Sequence, residues 1–233
     1  TIPACLNMID TLGAKSVAIL FSQGDASITN ATQFRDQSTE LGYDCTAFET
    51  FDLGEMDYSA QCINIVSTNP DCVFLAVEGD YMGTCVKQLR QYGFEGTIIS
   101  REELSIPQQE VAGDAMNGYA FPSLYVSWPS LEEAKPNVNE QMYSYLESYY
   151  NEYGELPASI WAYEVWDAMM TLQQAAKLAG SNDPVALRDA MNQLTYTGIG
   201  GTIDYTGGRH ESYSADAFNV FIYEDGKVVS FAK

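Results

Sequence analysis

Two acidic residues follow short apolar runs in the first half of the chain, and their position suits them to bind a ligand. Glu78 comes directly after the run 72–77, and Glu102 lies two residues after the run 97–100. A third apolar run, 16–21, also ends in polar residues. Carboxylates form charge-assisted hydrogen bonds with ammonium and guanidinium groups, and these bonds are roughly twice as strong as neutral ones. The pattern therefore predicts a binding site for a ligand with a positively charged group.

Four continuous apolar runs have the length and composition of β-strands that are buried on both faces. They cover residues 16–21, 45–48, 72–77 and 97–100. Segments with helical periodicity separate them, so the order β-α-β-α-β-α-β predicts an α/β fold with an open parallel sheet flanked by helices. Ligands of such sheets bind in the crevice beyond the carboxyl ends of the strands. The residues at these ends form a predicted binding rim: Ser22 to Asp25, Glu78 to Asp80 and Arg101 to Glu103.

The second half of the chain has a different pattern. The segment 122–136 is punctuated by prolines and predicts a passage between two lobes. Two strongly amphipathic helices are predicted over 138–153 and 161–176, and a third begins at Pro184. These helices have no parallel sheet of their own to pack on. The three could pack together as a bundle, but their aromatic stripes are wide enough to need a sheet.

Composition excludes some classes of partner. The 233 residues include 32 acidic and 11 basic side chains, which gives a formal net charge of −21. Nucleic acids and anionic membrane surfaces attract basic patches, so neither is an expected partner. Hydrophobic residues make up 46% of the chain, as in ordinary globular proteins, and no apolar run approaches the length of a membrane span. Because the chain begins Thr1-Ile-Pro, we expect that preceding sequence has been removed.

Patterns typical of enzymes, metal sites and cofactor sites are weak in this sequence. The single histidine, His210, lies in a predicted surface loop, and no Ser/His/Asp arrangement can be built around it. The sequence has no glycine-rich phosphate-binding pattern and no Cys/His ligand spacing, so we expect no cofactor, no metal and no catalytic residue. We expect the five cysteines to be buried apolar residues. A disulfide between Cys62 and Cys85 is the alternative, because consecutive crossover helices can place them on one face.

An ordered series of short motifs runs along nearly the whole chain. The motifs are Lys15-Ser-Val-Ala-Ile-Leu-Phe21, Asp57-Tyr-Ser-Ala-Gln61, Asn69-Pro-Asp-Cys-Val-Phe74, Leu89-Arg-Gln-Tyr-Gly93, Val111-Ala-Gly113 with Gly118, Tyr153-Gly154 with Pro157, Trp166-Asp-Ala168 and Gly200-Gly-Thr-Ile-Asp204. Each motif alone is unspecific. Together they closely resemble the Leu/Ile/Val-binding family of ABC-transporter substrate-binding proteins, which has the type I periplasmic-binding fold. The resemblance covers the later part of the family's sequence, and the opening β-α-β-α-β units of the first lobe are absent.

The resemblance implies two lobes that close on a ligand. Residues 1–120 with 211–233 correspond to the second, C-terminal α/β lobe. Residues 121–210 correspond to the helical returning portion of the first lobe, which is incomplete. The apolar surface of these helices would then pack on the missing segment or on a second chain.

The resemblance also implies roles for individual residues. Glu102 matches an acid that binds the ammonium group of an amino-acid ligand, and Trp161 matches an aromatic residue that packs against the ligand. Ala26 and Glu78 depart from the family, because relatives have a tyrosine after the first and third strands. The lost ring and the added carboxylate favour a larger or more cationic ligand over a branched-chain amino acid. The alternatives are that Trp161 is a core residue and that Glu78, like Glu103, is a solvated loop acid.

These implications lead to one expected function and two alternatives. We expect a binding protein, located in the periplasm or on the cell surface, that delivers an amino acid or amine-bearing solute to the membrane permease of an ABC transporter. The first alternative is a ligand-sensing domain of the same fold in a receptor or transcriptional regulator. The second, a flavodoxin-like phosphoacceptor, fits poorly because it needs an aspartate after the third strand and a lysine after the fifth, where Glu78 and Pro122 stand.

Overall fold

The computed structural model of the protein describes residues 1–208, 213 and 218–231. The chain separates into two compact units. The first, the sheet unit, comprises Thr1–Ser123 and Phe218–Lys233, and the second, the helical unit, comprises Leu124–Ala217. His210 and the predicted lobe boundaries at 210 and 211 lie outside the described residues.

The secondary structure of the described residues is as follows. The strands are β1 (Ser16–Ser22), β2 (Asp44–Phe51), β3 (Cys72–Ala76), β4 (Thr97–Ser100), β5 (Tyr119–Ser123), β6 (Thr195–Gly198), β7 (Gly201–Asp204), β8 (Asn219–Glu224) and β9 (Lys227–Ser230). The α-helices are α1 (Ile2–Leu12), α2 (Asp25–Glu40), α3 (Ser59–Ser67), α4 (Gly79–Gln91), α5 (Ile106–Ala112), α6 (Leu131–Ala134), α7 (Glu140–Tyr153), α8 (Trp161–Ala179) and α9 (Pro184–Met191).

The sheet unit contains a seven-stranded sheet with the order β2-β1-β3-β4-β5-β8-β9. The strands β1 to β5 pair in parallel, and β8 and β9 continue the sheet in antiparallel orientation. Asp225 and Gly226 join β8 to β9 and have φ angles of 50° and 73°. Positive φ at both central residues is the conformation that two-residue hairpin turns require. The predicted α/β class, with an open and mostly parallel sheet, is confirmed.

Helices cover the sheet so completely that its central strands are buried on both faces. On one face, α1 and α2 pack against Val17 and Ile19 of β1 and against Phe74 of β3. Phe34 of α2 stacks on Phe74 with ring centroids 3.8 Å apart. Successive strand residues point to opposite faces, and Leu20, on the other face of β1, is also fully buried. This double cover explains why the strands appear in the sequence as continuous apolar runs.

The cysteines of the chain are all free thiols. Cys62 of α3 and Cys85 of α4 are fully buried, and burial raises the pKa of Cys62 to about 12. The disulfide considered as an alternative is therefore not formed, and both residues are buried apolar side chains as expected.

The helical unit has a small core of its own, formed mainly by aromatic side chains. Tyr145 and Leu146 of α7 and Tyr163 of α8 pack with Tyr125 and Ile199. The sheet of this unit, within the described residues, is the two-stranded hairpin β6-β7. No helix of the described residues has the length and apolar character needed to span a membrane.

One face of the helical unit remains exposed. Trp161, Val165, Met169 and Leu172 lie along one side of α8 and are 56%, 60%, 60% and 40% exposed. Trp161, Val165 and Met169 line, together with α7 residues that include Tyr153 at 64% exposure, an apolar groove of about 580 Å³. The helices thus expose the apolar surface that their sequence predicts.

Candidate functional site

The sheet order places a crevice at the carboxyl ends of β1 and β3. In the sheet, β1 lies between β2 and β3. The chain leaves β1 towards β2 and leaves β3 towards β4, so these two connections run in opposite directions. Open α/β sheets bind ligands at this kind of topological switch point. Phe21 of β1 pairs with Ala76 of β3. Ser22 is one residue beyond this pair on β1, and Glu78 is two residues beyond it on β3.

The structure brings Ser22 and Glu78 together across this crevice. Ser22 is fully buried, and its hydroxyl donates a hydrogen bond to Oε2 of Glu78. Oγ of Ser27, in the first turns of α2, lies 3.0 Å from Oγ of Ser22. A Cβ atom on Gly24 would overlap Oε1 of Glu78, so residue 24 must lack a side chain for the carboxylate to lie there. Glu78 is half-buried in this position.

Glu102 lies at the same edge of the sheet. Leu75 of β3 pairs with Ser100 of β4, so the segments that carry Glu78 and Glu102 leave the sheet from neighbouring positions. The hydroxyl of Tyr119 donates a hydrogen bond of 2.8 Å to the backbone carbonyl of Glu102. Burial holds the pKa of Tyr119 well above its usual value, so the phenol stays protonated and able to donate. This contact fixes the backbone of the loop, and the side chain of Glu102 is half-buried.

Glu103 does not behave as predicted. It is 6% exposed, and its Oε1 accepts a hydrogen bond of 3.4 Å from the hydroxyl of Tyr223. Burial and the neighbouring carboxylate raise the pKa of Tyr223, so the phenol remains a donor. Tyr223 belongs to a strand 120 residues further along the chain, and the sequence gives no sign of this contact. The expectation of a solvated loop acid is wrong for Glu103.

The other predicted site residues are Ala26, in the sheet unit, and Trp161, in the helical unit. Ala26 is the second residue of α2 and is exposed, as is Asp80 at the start of α4. Trp161 belongs to the helical unit, where it is the first residue of α8. Its 56% exposure shows that it is not a core residue of that unit. The structure describes no cluster of three or more His, Cys, Asp or Glu side chains that could hold a metal.

Sequence reasoning missed the role of Asp167, the most buried carboxylate among the described residues of the helical unit. It is 2% exposed in the middle of α8. The hydroxyls of Tyr125 and Tyr213 donate to it over 2.8 and 2.7 Å. The backbone N–H groups of residues 199 and 200 donate over 2.8 and 2.9 Å. Four donors satisfy this carboxylate, which joins α8 to the turn of the β6-β7 hairpin and has no capacity left for a ligand.

Comparison with known proteins identifies the family. A family model described as "Periplasmic binding protein" matches residues 2–221. The chain belongs to this family. It is 27% identical over 164 residues to "Leu/Ile/Val-binding protein homolog 1" of Brucella abortus (strain 2308), covering 70% of this chain and 41% of the relative. It is 24% identical over 187 residues to homolog 2 of the same strain, covering 80% and 47%. The predicted resemblance is confirmed, and the chain spans about half the length of these relatives.

Solved structures show the same fold. A leucine-binding protein, LivK, from Thermotoga maritima MSB8 superimposes with a TM-score of 0.80 at 26% identity, covering 99% of this chain and 63% of that protein. An extracellular ligand-binding receptor from Rhodopseudomonas palustris HaA2 gives a TM-score of 0.82 at 20% identity, with 99% of this chain and 66% of that protein covered. About a third of each solved chain therefore has no counterpart in these 233 residues.

Proposed function

We propose that the protein is an extracytoplasmic solute-binding protein of an ABC importer, with an amino acid or another amine-bearing small molecule as its ligand. The observation that carries the proposal is the position of Glu78 and Glu102 beyond the ends of the neighbouring strands β3 and β4, the first of which borders the switch point of the sheet. Membership in the periplasmic binding protein family and the likeness to Leu/Ile/Val-binding proteins support this reading.

In this proposal the sheet unit is the second lobe of a two-lobed binding protein. The helical unit forms part of the first lobe, and the exposed face of α7 and α8 packs on a segment that the relatives have and these 233 residues lack. The ligand binds between the lobes. Closure then follows from contacts that the ligand makes only in the closed state, because a ligand shifts a conformational equilibrium through its differential affinity.

The chemistry of binding follows from the carboxylates. Glu102 accepts hydrogen bonds from the ligand's ammonium group, and the ring of Trp161 packs against the ligand. An ion pair in a closed, water-poor cleft is stronger than one at the surface, because the effective dielectric constant is lower. The loaded protein then delivers the solute to the membrane permease of the transporter. No catalytic step is part of this function.

A ligand screen tests the proposal. Thermal unfolding of the full-length protein is measured with amino acids, polyamines and small peptides, and a ligand that binds the folded state raises the melting temperature. We expect at least one amine-bearing hit, and we expect Glu102→Gln to abolish its shift. Glu110→Gln, which removes one exposed acid of α5, is the matched control and should keep the shift. An amine-bearing hit whose affinity is unchanged in Glu102→Gln would contradict the assignment.

A further inference from the structure

Glu78 lies at the centre of the switch-point crevice and reaches from the end of β3 to the end of β1. Its carboxylate is held by the buried hydroxyl of Ser22 and lies over Gly24. The position is therefore defined by contacts with the connection between β1 and α2, unlike that of an acid on a freely moving surface loop. A carboxylate held in this way needs little rearrangement to bind a donor.

Glu78 also has unused capacity to accept hydrogen bonds. A carboxylate offers about four lone-pair sites, and Ser22 fills one of them. Throughout the part of the chain that the structure describes, no Lys, Arg or His side chain lies within ion-pair distance of this carboxylate. Asp167 shows the contrasting case, since four donors of its own unit surround it. The carboxylate of Glu78 can therefore accept hydrogen bonds from a cationic group that does not belong to the described residues.

We propose that Glu78 determines the class of ligand, and that the protein selects solutes with two cationic groups over branched-chain amino acids. Basic amino acids and diamines are the class meant. The inference rests on the proposed function: Glu102 binds one ammonium group and Glu78 binds the second. A leucine or valine side chain in the crevice would remove water from Glu78 without replacing its hydrogen bonds, and an unpaired charge in such a place is costly.

Isothermal titration of the full-length protein tests this inference. The probes are lysine, arginine and putrescine as dicationic ligands, and leucine and valine as neutral-side-chain ligands. We expect the best dicationic probe to bind at least about 10-fold more tightly than leucine, because a charge-assisted hydrogen bond is worth that factor or more. Glu78→Gln keeps the size of the side chain and an acceptor for Ser22, and it should weaken the dicationic probe by about 10-fold or more.

Two further variants separate charge at the site from charge in general. Asp80→Asn removes the same charge two residues away, at an exposed position in the first turn of α4, and should leave the affinities unchanged. Glu78→Asp keeps the charge and should retain part of the preference for dicationic ligands. Melting temperatures of all variants without ligand show whether each one folds.

The outcomes distinguish this inference from the proposed function. If leucine binds more tightly than every dicationic probe, and Glu78→Gln changes neither affinity, the inference is overturned while the solute-binding function stands. If none of the amine-bearing probes binds, and the wider screen also gives no hit, the proposed function itself fails.

Discussion

Asp167 in the helical unit is a buried carboxylate and Glu78 in the sheet unit a half-buried one, and they differ in the number of donors that the described residues place around them. Asp167 accepts four hydrogen bonds from two tyrosines and two backbone N–H groups. Glu78 accepts one, from Ser22. A buried polar group whose hydrogen bonds are all made stabilises the fold. A half-buried carboxylate with spare acceptor capacity at a ligand-binding edge is instead suited to recognition.

The two units also differ in how completely they bury their apolar side chains. The central strands of the sheet unit are covered on both faces, and Ile19 and Leu20 of β1 are fully buried. In the helical unit, Val165 and Met169 on α8 are each 60% exposed. The sheet unit therefore buries its own core, whereas the helical unit leaves one apolar face exposed.

The largest effect on stability is expected at Asp167. Asp167→Ala leaves the hydroxyls of two tyrosines and two backbone N–H groups without their acceptor, which should lower the free energy of unfolding by about 3 kcal/mol or more. Urea unfolding of the full-length protein measures this change. Glu147→Ala, at an exposed position of α7, is the control and should change stability by less than about 0.5 kcal/mol. Equal effects of the two substitutions would show that Asp167 does not anchor the hairpin.

Arg90 is a cationic counterpart of Asp167 within the sheet unit. Its guanidinium donates to the carbonyls of Phe94, Gly96, Ala115 and Asn117 over 2.7 to 3.3 Å. Arg90→Met should lower the free energy of unfolding by about 2 kcal/mol, because four carbonyls lose a donor while the apolar stem is kept. Lys87→Met, at an exposed position on the same helix, is the control for the lost charge. Unfolding at the same urea concentration in both variants would contradict this role.

A smaller stability effect with a clear effect on binding is expected at Gly24. Gly24→Ala places a methyl group where the carboxylate of Glu78 lies. Because the end of a glutamate side chain can rotate away, the cost in stability should stay below about 1 kcal/mol. The displaced carboxylate should weaken the dicationic ligand in titration calorimetry, and the substitution should have little further effect in a Glu78→Gln background. Additive effects on ligand affinity would show that the two residues act separately.

The smallest effect concerns Asp71, which is exposed. Its Oδ2 accepts hydrogen bonds from the backbone N–H groups of Lys15 and Ser16 over 2.7 and 2.9 Å, and the bond from Lys15 is the main cause of its lowered pKa. A carboxyl group whose pKa is lowered in the folded state stabilises the protein at pH values above the pKa of the same group in the unfolded state. This contribution is lost as the pH falls from about 4 through the folded value.

Solvent screening limits the contribution of Asp71 to below about 0.5 kcal/mol. Comparison of urea unfolding at pH 7 and pH 3, in the wild type and in Asp71→Asn, measures it. The wild type should lose more stability than the variant over this range. A variant that loses as much would show that Asp71 is not responsible.

The sequence predicts the interior strands well because burial on both faces leaves a local signal. The runs 16–21 and 97–100 match β1 and β4 within one residue at each end. The predicted run 45–48 covers only the middle of β2, which extends over Asp44–Phe51. β2 is an edge strand whose residues are mostly only partly buried, so its polar ends resemble a loop.

The sequence predicts where the candidate acids leave the sheet, but it does not predict the environment of each acid. Strand ends fix where Glu78 and Glu102 leave the sheet, and local periodicity predicts those ends. The burial of Glu103 depends on Tyr223, and that of Asp167 on Tyr125 and the turn at 199–200. These partners are distant in the sequence, so only the folded structure separates a structural acid from one available to a ligand.

The most direct test is a crystal structure of the full-length protein with the amine-bearing solute that binds most tightly in the screen. We expect a ligand nitrogen within about 3.2 Å of a carboxylate oxygen of Glu102, and a second cationic nitrogen at the same distance from Glu78. A ligand whose nitrogens lie away from both carboxylates, or whose apolar groups cover Glu78 while it stays bonded to Ser22 alone, would contradict the account.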